Sequence, residues 1–464
     1  MKVTLIRPSM TGHRAHDAME PLAFAILAGR TPNEVELELF DERLEEIPDD
    51  HETDLVALTV ETYTARRAYQ IANRFRSRGI PVVMGGYHVT FLPDEALQFA
   101  DSVVMNDAED VWERVVRDAQ SKRLQRVYRR PSLPSLAGLR FDRSVFNGKR
   151  YTPVAPVQYG RGCKYACDFC SIHAFYGTSL RQRPVAEVVA EIESLNRRFI
   201  LLVDDNLFVE PGRAEELFRA LIPLKIKWGC QVSIDVADDL RLLKLMERSG
   251  CIAALVGFES LDQGNLVQMN KKWNLRERND GYASAIRRFQ DHGIMIYGSF
   301  IFGYDHDTTD VFARTVDFAI GAKLFLVNFS ALTPTPGTRL YLRLRAEGRL
   351  IHQRWWLDPD YRYGQATYHP KLMTADELTE GALFARRQFY SASSILRRAT
   401  DFSTNCRSLS RLGIYALANL MSKRELSQKL GHRLGDEAPL EIGALPLTRD
   451  CEAGDPSAAL LQWS

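Results

Sequence analysis

Residues 54–88 read DLVALTVETYTARRAYQIANRFRSRGIPVVMGGYH. Leu55 to Thr59 is a short β-rich run, Ala65 to Ser77 repeats its apolar residues at helical spacing, and Val82 to Met84 is a second β-rich run that stops at a Gly-Gly pair. The same alternation extends to both sides. Val3 to Arg7, Val35 to Phe40 and Ser102 to Met105 read as further strands, and Ala23 to Ala28, Asp94 to Phe99 and Asp107 to Asp118 as helices. Strict strand–helix alternation implies a parallel doubly wound, Rossmann-like α/β sheet over residues 1–121. Ligands of such sheets lie beyond the carboxyl ends of the strands, which is where Gly85, Gly86 and His88 fall. A plain tight turn is the alternative for the glycine pair.

Residues 122–150 are rich in Arg, Pro and Ser, lack a sustained period, and read as a linker. A second series follows over 151–345. Its strands lie near Val157 and at Phe199 to Asp204, Ile226 to Val232, Ala253 to Phe258, Met295 to Phe302 and Leu324 to Leu332. Helical spacing fills the gaps at Val185 to Asn196, Asp238 to Ser249, Arg278 to His292 and Asp310 to Gly321. The series predicts a partial (β/α)6 barrel of TIM type, with functional residues at the strands' carboxyl ends. Residues 346–434 read as mainly helical and 435–464 as a poorly patterned tail.

The 464 residues are 45% hydrophobic and 26% charged, ordinary globular values, with a formal net charge of +1. Nothing in that balance draws the chain to nucleic acid. The N-terminus begins a strand at once and lacks the features of a signal peptide. Leu412 to Met421, flanked by Arg411 and Lys423, is about half the length a bilayer span needs. Three of the 7 cysteines crowd into Cys163–Cys170, too close for a disulfide framework. A reducing cytoplasm, with these three as metal ligands, is the expectation.

Cys163-Lys164-Tyr165-Ala166-Cys167-Asp168-Phe169-Cys170 follows Arg161-Gly162 at the end of the first barrel strand. Three thiolates can hold three irons of a cubane cluster and leave the fourth open to an exogenous ligand. Structural zinc closes a tetrahedron, and His173 stands near enough in sequence to supply a fourth ligand, so zinc is the competing reading.

The Cys-x-x-x-Cys-x-aromatic-Cys spacing resembles the signature of the radical S-adenosylmethionine superfamily. The resemblance implies a [4Fe-4S] cluster on Cys163, Cys167 and Cys170 that reduces bound S-adenosylmethionine to methionine and a 5'-deoxyadenosyl radical. It implies S-adenosylmethionine contacts at Phe169, at Asp204, Asp205 and Asn206 in VDDN, at Glu259 in GFES, and at Gly298 and Gly303 in GSFIFG. Helix N-capping is the alternative for the two aspartates. An unpaired carboxylate at Glu259 would be costly, so a functional or ion-paired role is expected there.

The first domain resembles the cobalamin-binding domain of one subgroup of that superfamily, and with the barrel the resemblance spans residues 1 to about 350. It implies corrinoid contacts at Thr59, Glu61, Gly85, Gly86 and His88. Two departures stand out. No Asp-x-His-x-x-Gly sequence is present to supply the usual lower cobalt ligand, and Asn106-Asp107-Ala108-Glu109 replaces the more usual Gly-Glu-x-Glu. His13 and His16, after the first strand, are either ligands or a surface pair.

LTPTPGT at Leu332 to Thr338 resembles a stretch of the same subgroup that shapes the barrel mouth. Trp355, Trp356, Tyr361 and Tyr363 form either an apolar substrate wall or packing for the C-terminal helices. Arg386, Arg387, Arg397, Arg398, Arg407 and Arg411 form either a solvated face or a contact for anionic lipid or an acidic substrate. The expected function is cobalamin-dependent radical C-methylation of an unactivated carbon in a small or lipid-like metabolite. Cyclisation, oxidation or coupling without methyl transfer, and a non-catalytic metal-binding module, are the alternatives. An external one-electron donor of flavodoxin or ferredoxin type is implied, and peripheral membrane contact is open.

Overall fold

The computed structural model describes residues 1–10, 15, 17–278, 281–440 and 443. Six strands, β1 (Lys2–Arg7), β2 (Glu36–Asp41), β3 (Leu55–Thr59), β4 (Val82–Gly85), β5 (Ser102–Val104) and β6 (Val127–Tyr128), form the first sheet in the order β2-β1-β3-β4-β5-β6. Every pairing is parallel. The order reverses between β1 and β3, the switch point of a doubly wound sheet. Alternate residues serve opposite faces: Val56 and Leu58 pack toward the Ala65–Arg76 helix, while Leu55 and Ala57 pack toward Phe24 and Trp112. β6 arises within 122–150, where the sequence suggested only a linker.

Two helices differ from expectation. The helix expected at Asp94 to Phe99 is a single turn at Pro93–Ala96, and an unexpected short helix, Tyr87–Phe91, precedes it; the two are separated at Leu92 (φ −132°, ψ 60°), which stands before Pro93 and is disfavoured from helical conformation. The helix expected from Asp107 starts only at Trp112, because Asn106 is left-handed (φ 62°) and Asp107 and Glu109 are engaged elsewhere.

The second sheet runs β14-β13-β12-β11-β10-β7, with β7 (Ala155–Val157), β10 (Phe199–Leu202), β11 (Lys227–Val232), β12 (Cys251–Glu259), β13 (Met295–Phe302) and β14 (Leu326–Ala331) all parallel. A two-residue antiparallel ladder pairs β8 (Gly160–Arg161) with β9 (Arg181–Gln182). Strands in sequence order, each adding to the last, make the expected partial barrel. Phe258 and Phe300 face outward onto Phe318 of the Val311–Gly321 helix. Leu255, Gly257, Tyr297, Ser299 and Ile301, alternating with them and less buried, face the interior.

The C-terminal helices close the amino end of this barrel. Arg398, fully buried, donates to the carbonyls of Leu324, Phe325 and Phe389 and lies over the Phe389 ring at 3.7 Å. Arg411 donates to the carbonyl of Ile252, and Arg407 pairs with Glu247. The arginine series is therefore not one solvent face, since Arg386 and Arg398 are buried inside the fold. Trp355, Trp356 and Tyr361 are core residues as well, packed chiefly on the first domain rather than lining a substrate wall. Among the described residues no helix is long and apolar enough to cross a membrane.

Arg398→Ala leaves three buried carbonyls without that donor, which is expected to cost about 3 kcal/mol. The measurement is the thermal midpoint, which falls, alongside iron content, which does not, since the site lies at the other end of the barrel.

Candidate functional site

The cysteine loop leaves β8 through Gly162, whose φ is +97° and where a Cβ would lie 1.9 Å from the Ser179 carbonyl oxygen. Only glycine fits that turn. Several contacts hold the loop beyond it. Asn270 donates to the Ala166 carbonyl (2.9 Å), Asp168 N–H donates to the Met269 carbonyl (3.2 Å), and Tyr304 donates to the Asp168 carboxylate (2.6 Å). Tyr165 stacks on Trp273 at 3.6 Å and donates to Asp235 (2.5 Å). These contacts tie the loop to the barrel on both sides of Cys167.

Donors point at the sulfurs. Asn206 Nδ2 lies 3.7 Å from Cys163 Sγ, and the backbone N–H groups of Ile172 and His173 donate to Cys170. Burial pushes all three thiols up; the Lys271 ammonium opposes this at Cys163 and Cys167. Metal must therefore displace protons to gain thiolate ligands. Three thiols with N–H donors and a nearby cation fit an anionic iron–sulfur cluster, whose sulfur ligands are tuned by such hydrogen bonds. His173, the fourth ligand a zinc site would need, turns its Nδ1 to the Gly177 carbonyl at 3.1 Å.

The residues expected around S-adenosylmethionine divide. Asn206 and Glu259 come to the cysteine loop. Asn206 is buried; besides Cys163 it binds Ser233 through both its amide donor (3.1 Å) and its oxygen, which accepts the Ser233 N–H (3.2 Å). Glu259 ends β12 with φ +62°, uncommon for a non-glycine residue, at a register shift against β13. Its carboxylate pairs with buried Lys271 at 2.8 Å, so this charge is not orphaned. Strain of this kind is stored where surrounding structure over-determines it, often at functional sites. Phe169 packs partly buried against the barrel core, edge-on to Tyr304 at 6.5 Å.

Asp204 and Asp205 are not helix caps; their carboxylates accept backbone N–H groups of the first barrel strand and the turn after it. Asp204 accepts the N–H groups of Tyr159 (3.3 Å) and Gly160, and Asp205 accepts that of Gly162 at 2.7 Å. Both hold the strand that delivers Cys163. Gly298 and Gly303 correct differently. A Cβ at Gly298 would meet Leu324 at 2.9 Å on the helix-facing side, and one at Gly303 would meet the Tyr368 hydroxyl at 2.4 Å. The missing Cβ at each position is what lets Leu324 and Tyr368 pack there.

A cavity of about 300 Å³ opens beyond the carboxyl ends of β3, β4 and β5. Thr59, Glu61, Gly85 and Gly86 line it, with apolar Ile26, Leu27, Ala57, Val83 and Val104 behind. A Cβ at Gly86 (φ +109°) would strike the Val60 carbonyl oxygen at 2.7 Å, so bare backbone borders the space. An apolar slot beside glycine backbone fits a flat ring system such as part of a corrinoid. His88 does not reach it: its ring is fully buried, 3.0 Å from Glu95 and 3.3 Å from Thr62. The Gly86 turn sends that side chain into the core. His13 and His16 lie outside the described residues. On the far side the cavity is walled by Gln158, Arg161, Phe175 and Tyr176 of the barrel.

A three-cysteine loop at the mouth of an open parallel barrel defines the radical S-adenosylmethionine class. Residues 157–319 match the radical SAM superfamily and residues 17–116 match the B12 binding domain. The chain is 30% identical over 82% of its length to bacteriochlorophyllide d C-12(1)-methyltransferase of Chlorobaculum tepidum, covering 84% of that protein. It is 30% identical over 72% of its length to bacteriochlorophyllide d C-8(2)-methyltransferase of the same organism, covering 78% of it. Among solved structures it resembles the radical S-adenosylmethionine methyltransferase TsrM from Kitasatospora setae, with TM-score 0.59 and 17% identity, covering 84% of this chain and 81% of that one. The chain belongs to the radical SAM superfamily, in the branch that carries a B12-binding domain.

Sequence reasoning missed Lys271, Ser233 and the Tyr165–Trp273–Asp235 contact. No local pattern marks them.

Burial raises the Asp204 carboxyl from 3.8 to about 7. An acid raised in the folded state favours folding below its unfolded pKa, and that contribution is lost as pH rises through the folded value. Thermal midpoints measured from about pH 4 to about pH 7 are thus expected to fall more steeply for wild type than for Asp204→Asn. Parallel profiles would contradict the assignment.

Proposed function

We propose that this chain is a cobalamin-dependent radical C-methyltransferase acting on an unactivated carbon of a small, largely apolar metabolite of tetrapyrrole or lipid-like type. One observation carries the reading. The cavity of the B12-binding domain is walled by Arg161, and the peptide after Arg161 delivers Gly162 and Cys163, so the two cofactor sites adjoin. When bound, the cluster with S-adenosylmethionine supplies a 5'-deoxyadenosyl radical and the corrinoid supplies a transferable methyl group.

The protein's own part is to bind, orient and exclude water. Cys163, Cys167 and Cys170 would hold the cluster, with Asn206 donating to a sulfur. Glu259, fixed by Lys271, and Asn206, fixed by Ser233, would present polar groups beside it for the amino acid and ribose portions of S-adenosylmethionine. Thr59, Glu61, Gly85 and Gly86 would border the corrinoid. The interior wall of Leu255, Tyr297, Ser299 and Ile301 offers a mostly apolar surface with a few hydroxyls, suited to a flat hydrophobic substrate. Methyl transfer to bacteriochlorophyllide d by the two relatives supports a tetrapyrrole. The reducing power would come from an external one-electron donor of flavodoxin or ferredoxin type, and a reducing cytoplasm suits the free thiols. Exposed Leu409, Leu417 and Leu420 on the Leu409–Lys429 helix offer an apolar contact to a lipid surface that holds such substrates.

The test is anaerobic turnover of the reconstituted protein with methyl-labelled S-adenosylmethionine, hydroxocobalamin and a panel of chlorin-type tetrapyrroles. Label in a product one methyl group heavier, with 5'-deoxyadenosine, is the expected result, abolished in the Cys163→Ala/Cys167→Ala/Cys170→Ala variant. An altered but unlabelled product would assign the chain to cyclising or oxidative chemistry instead.

A further inference from the structure

The loop after β5 crosses from the corrinoid cavity to the barrel on buried charges. Asp107 pairs with Arg161 at 3.1 Å and with Arg181 at 2.7 Å, and Tyr176 donates to it at 3.0 Å. Glu109 pairs with the same Arg161 nitrogen at 2.6 Å. The side chains of Asp107, Glu109 and Arg161 are at most 9% exposed. Arg161 also donates to Gln158 at 2.8 Å, and Arg181 donates to the Pro134 carbonyl at 3.0 Å. Two carboxylates thus face two guanidiniums, with Asp205 close enough to feel both arginines and Asp107.

Burying ionised groups is a poor way to gain stability, because desolvation offsets most of the attraction. What a buried fork of charge does supply is a single geometry. Both ends of this one lead to a cofactor site. At one end, Asn106, Asp107 and Glu109 are themselves part of the cavity wall, and the loop's shape is set by the left-handed Asn106, whose N–H donates to Thr90 at 2.9 Å. At the other end, Arg161 is followed by the Gly162 turn, where the Ser179 carbonyl leaves no room for a side chain and the Asp205 carboxylate accepts the Gly162 N–H at 2.7 Å. Only that one tied-down residue separates Arg161 from Cys163.

Resting on the two-cofactor reading above, we propose that Asp107 and Glu109 are positioning residues that couple the corrinoid cavity to the cluster loop. Filling either site fixes the Arg161 fork and makes the other easier to fill. Binding coupling is reciprocal and typically amounts to several-fold to a hundredfold in affinity.

The experiment titrates hydroxocobalamin into full-length protein in two forms, cluster-reconstituted and iron-free, and compares the two dissociation constants. Wild type is expected to bind corrin about tenfold more tightly when the cluster is present. In Asp107→Asn and Glu109→Gln that ratio is expected to collapse to less than about twofold, below the usual coupling range, with four-iron content retained. A merely structural role would weaken both forms alike and leave the ratio unchanged. Should either variant fail to fold or to hold iron, Arg161→Gln, which removes the cation that both carboxylates share at one nitrogen, is read in the same way and is expected to lose most of the ratio. A wild-type ratio near one, or variants that keep the wild-type ratio, overturns the coupling. A wild type that binds no corrin in either form overturns the two-cofactor reading along with it.

Discussion

At Gly162 the chain has no room for a side chain: the Ser179 carbonyl stands where a Cβ would be, and the Asp205 carboxylate holds the backbone N–H. From this turn the three cysteines emerge at the mouth of the barrel, and most of the site's architecture serves to keep it in place. Asp204 grips the two residues before Arg161, Arg161 is gripped in turn by Asp107 and Glu109, and the loop beyond is tied down at Ala166 and Asp168. A cluster needs three thiolates from one short loop, and these contacts hold that loop at the mouth of the barrel.

The division of labour between the barrel's ends follows from the same demand. Arg398, Arg411 and Arg407 bond the C-terminal helices to the amino end, where stability is needed and chemistry is not. The carboxyl end keeps a strained Glu259, a buried Lys271 and an interior wall that is only partly covered. On the first domain, β3, β4 and β5 likewise end at a cavity rather than a packed cap.

Much of this was legible in the sequence, and what was legible is local. Alternating strands and helices appear as periodicities within a dozen residues, and the cysteine spacing lies within one loop. Side-chain destinations are another matter. The helix-cap alternative for Asp204 and Asp205 fails because their oxygens accept from amides some 45 residues away. His88 follows a glycine turn at a ligand-binding strand end, but the turn points it inward at Glu95. Gly298 faces the helix layer because of its parity along β13, which no motif reveals. The Asp107–Arg161 contact joins separate domains, and its one trace in the sequence was the unusual Asn-Asp-Ala-Glu at 106–109.

The central claim is that two cofactor sites open side by side on one chain. Pulsed electron paramagnetic resonance on the anaerobic protein, holding both a reduced cluster and cob(II)alamin, tests it directly. Dipolar coupling between the two paramagnets within each molecule is the predicted result. Two independent, uncoupled spectra from protein shown to contain both cofactors would contradict the account.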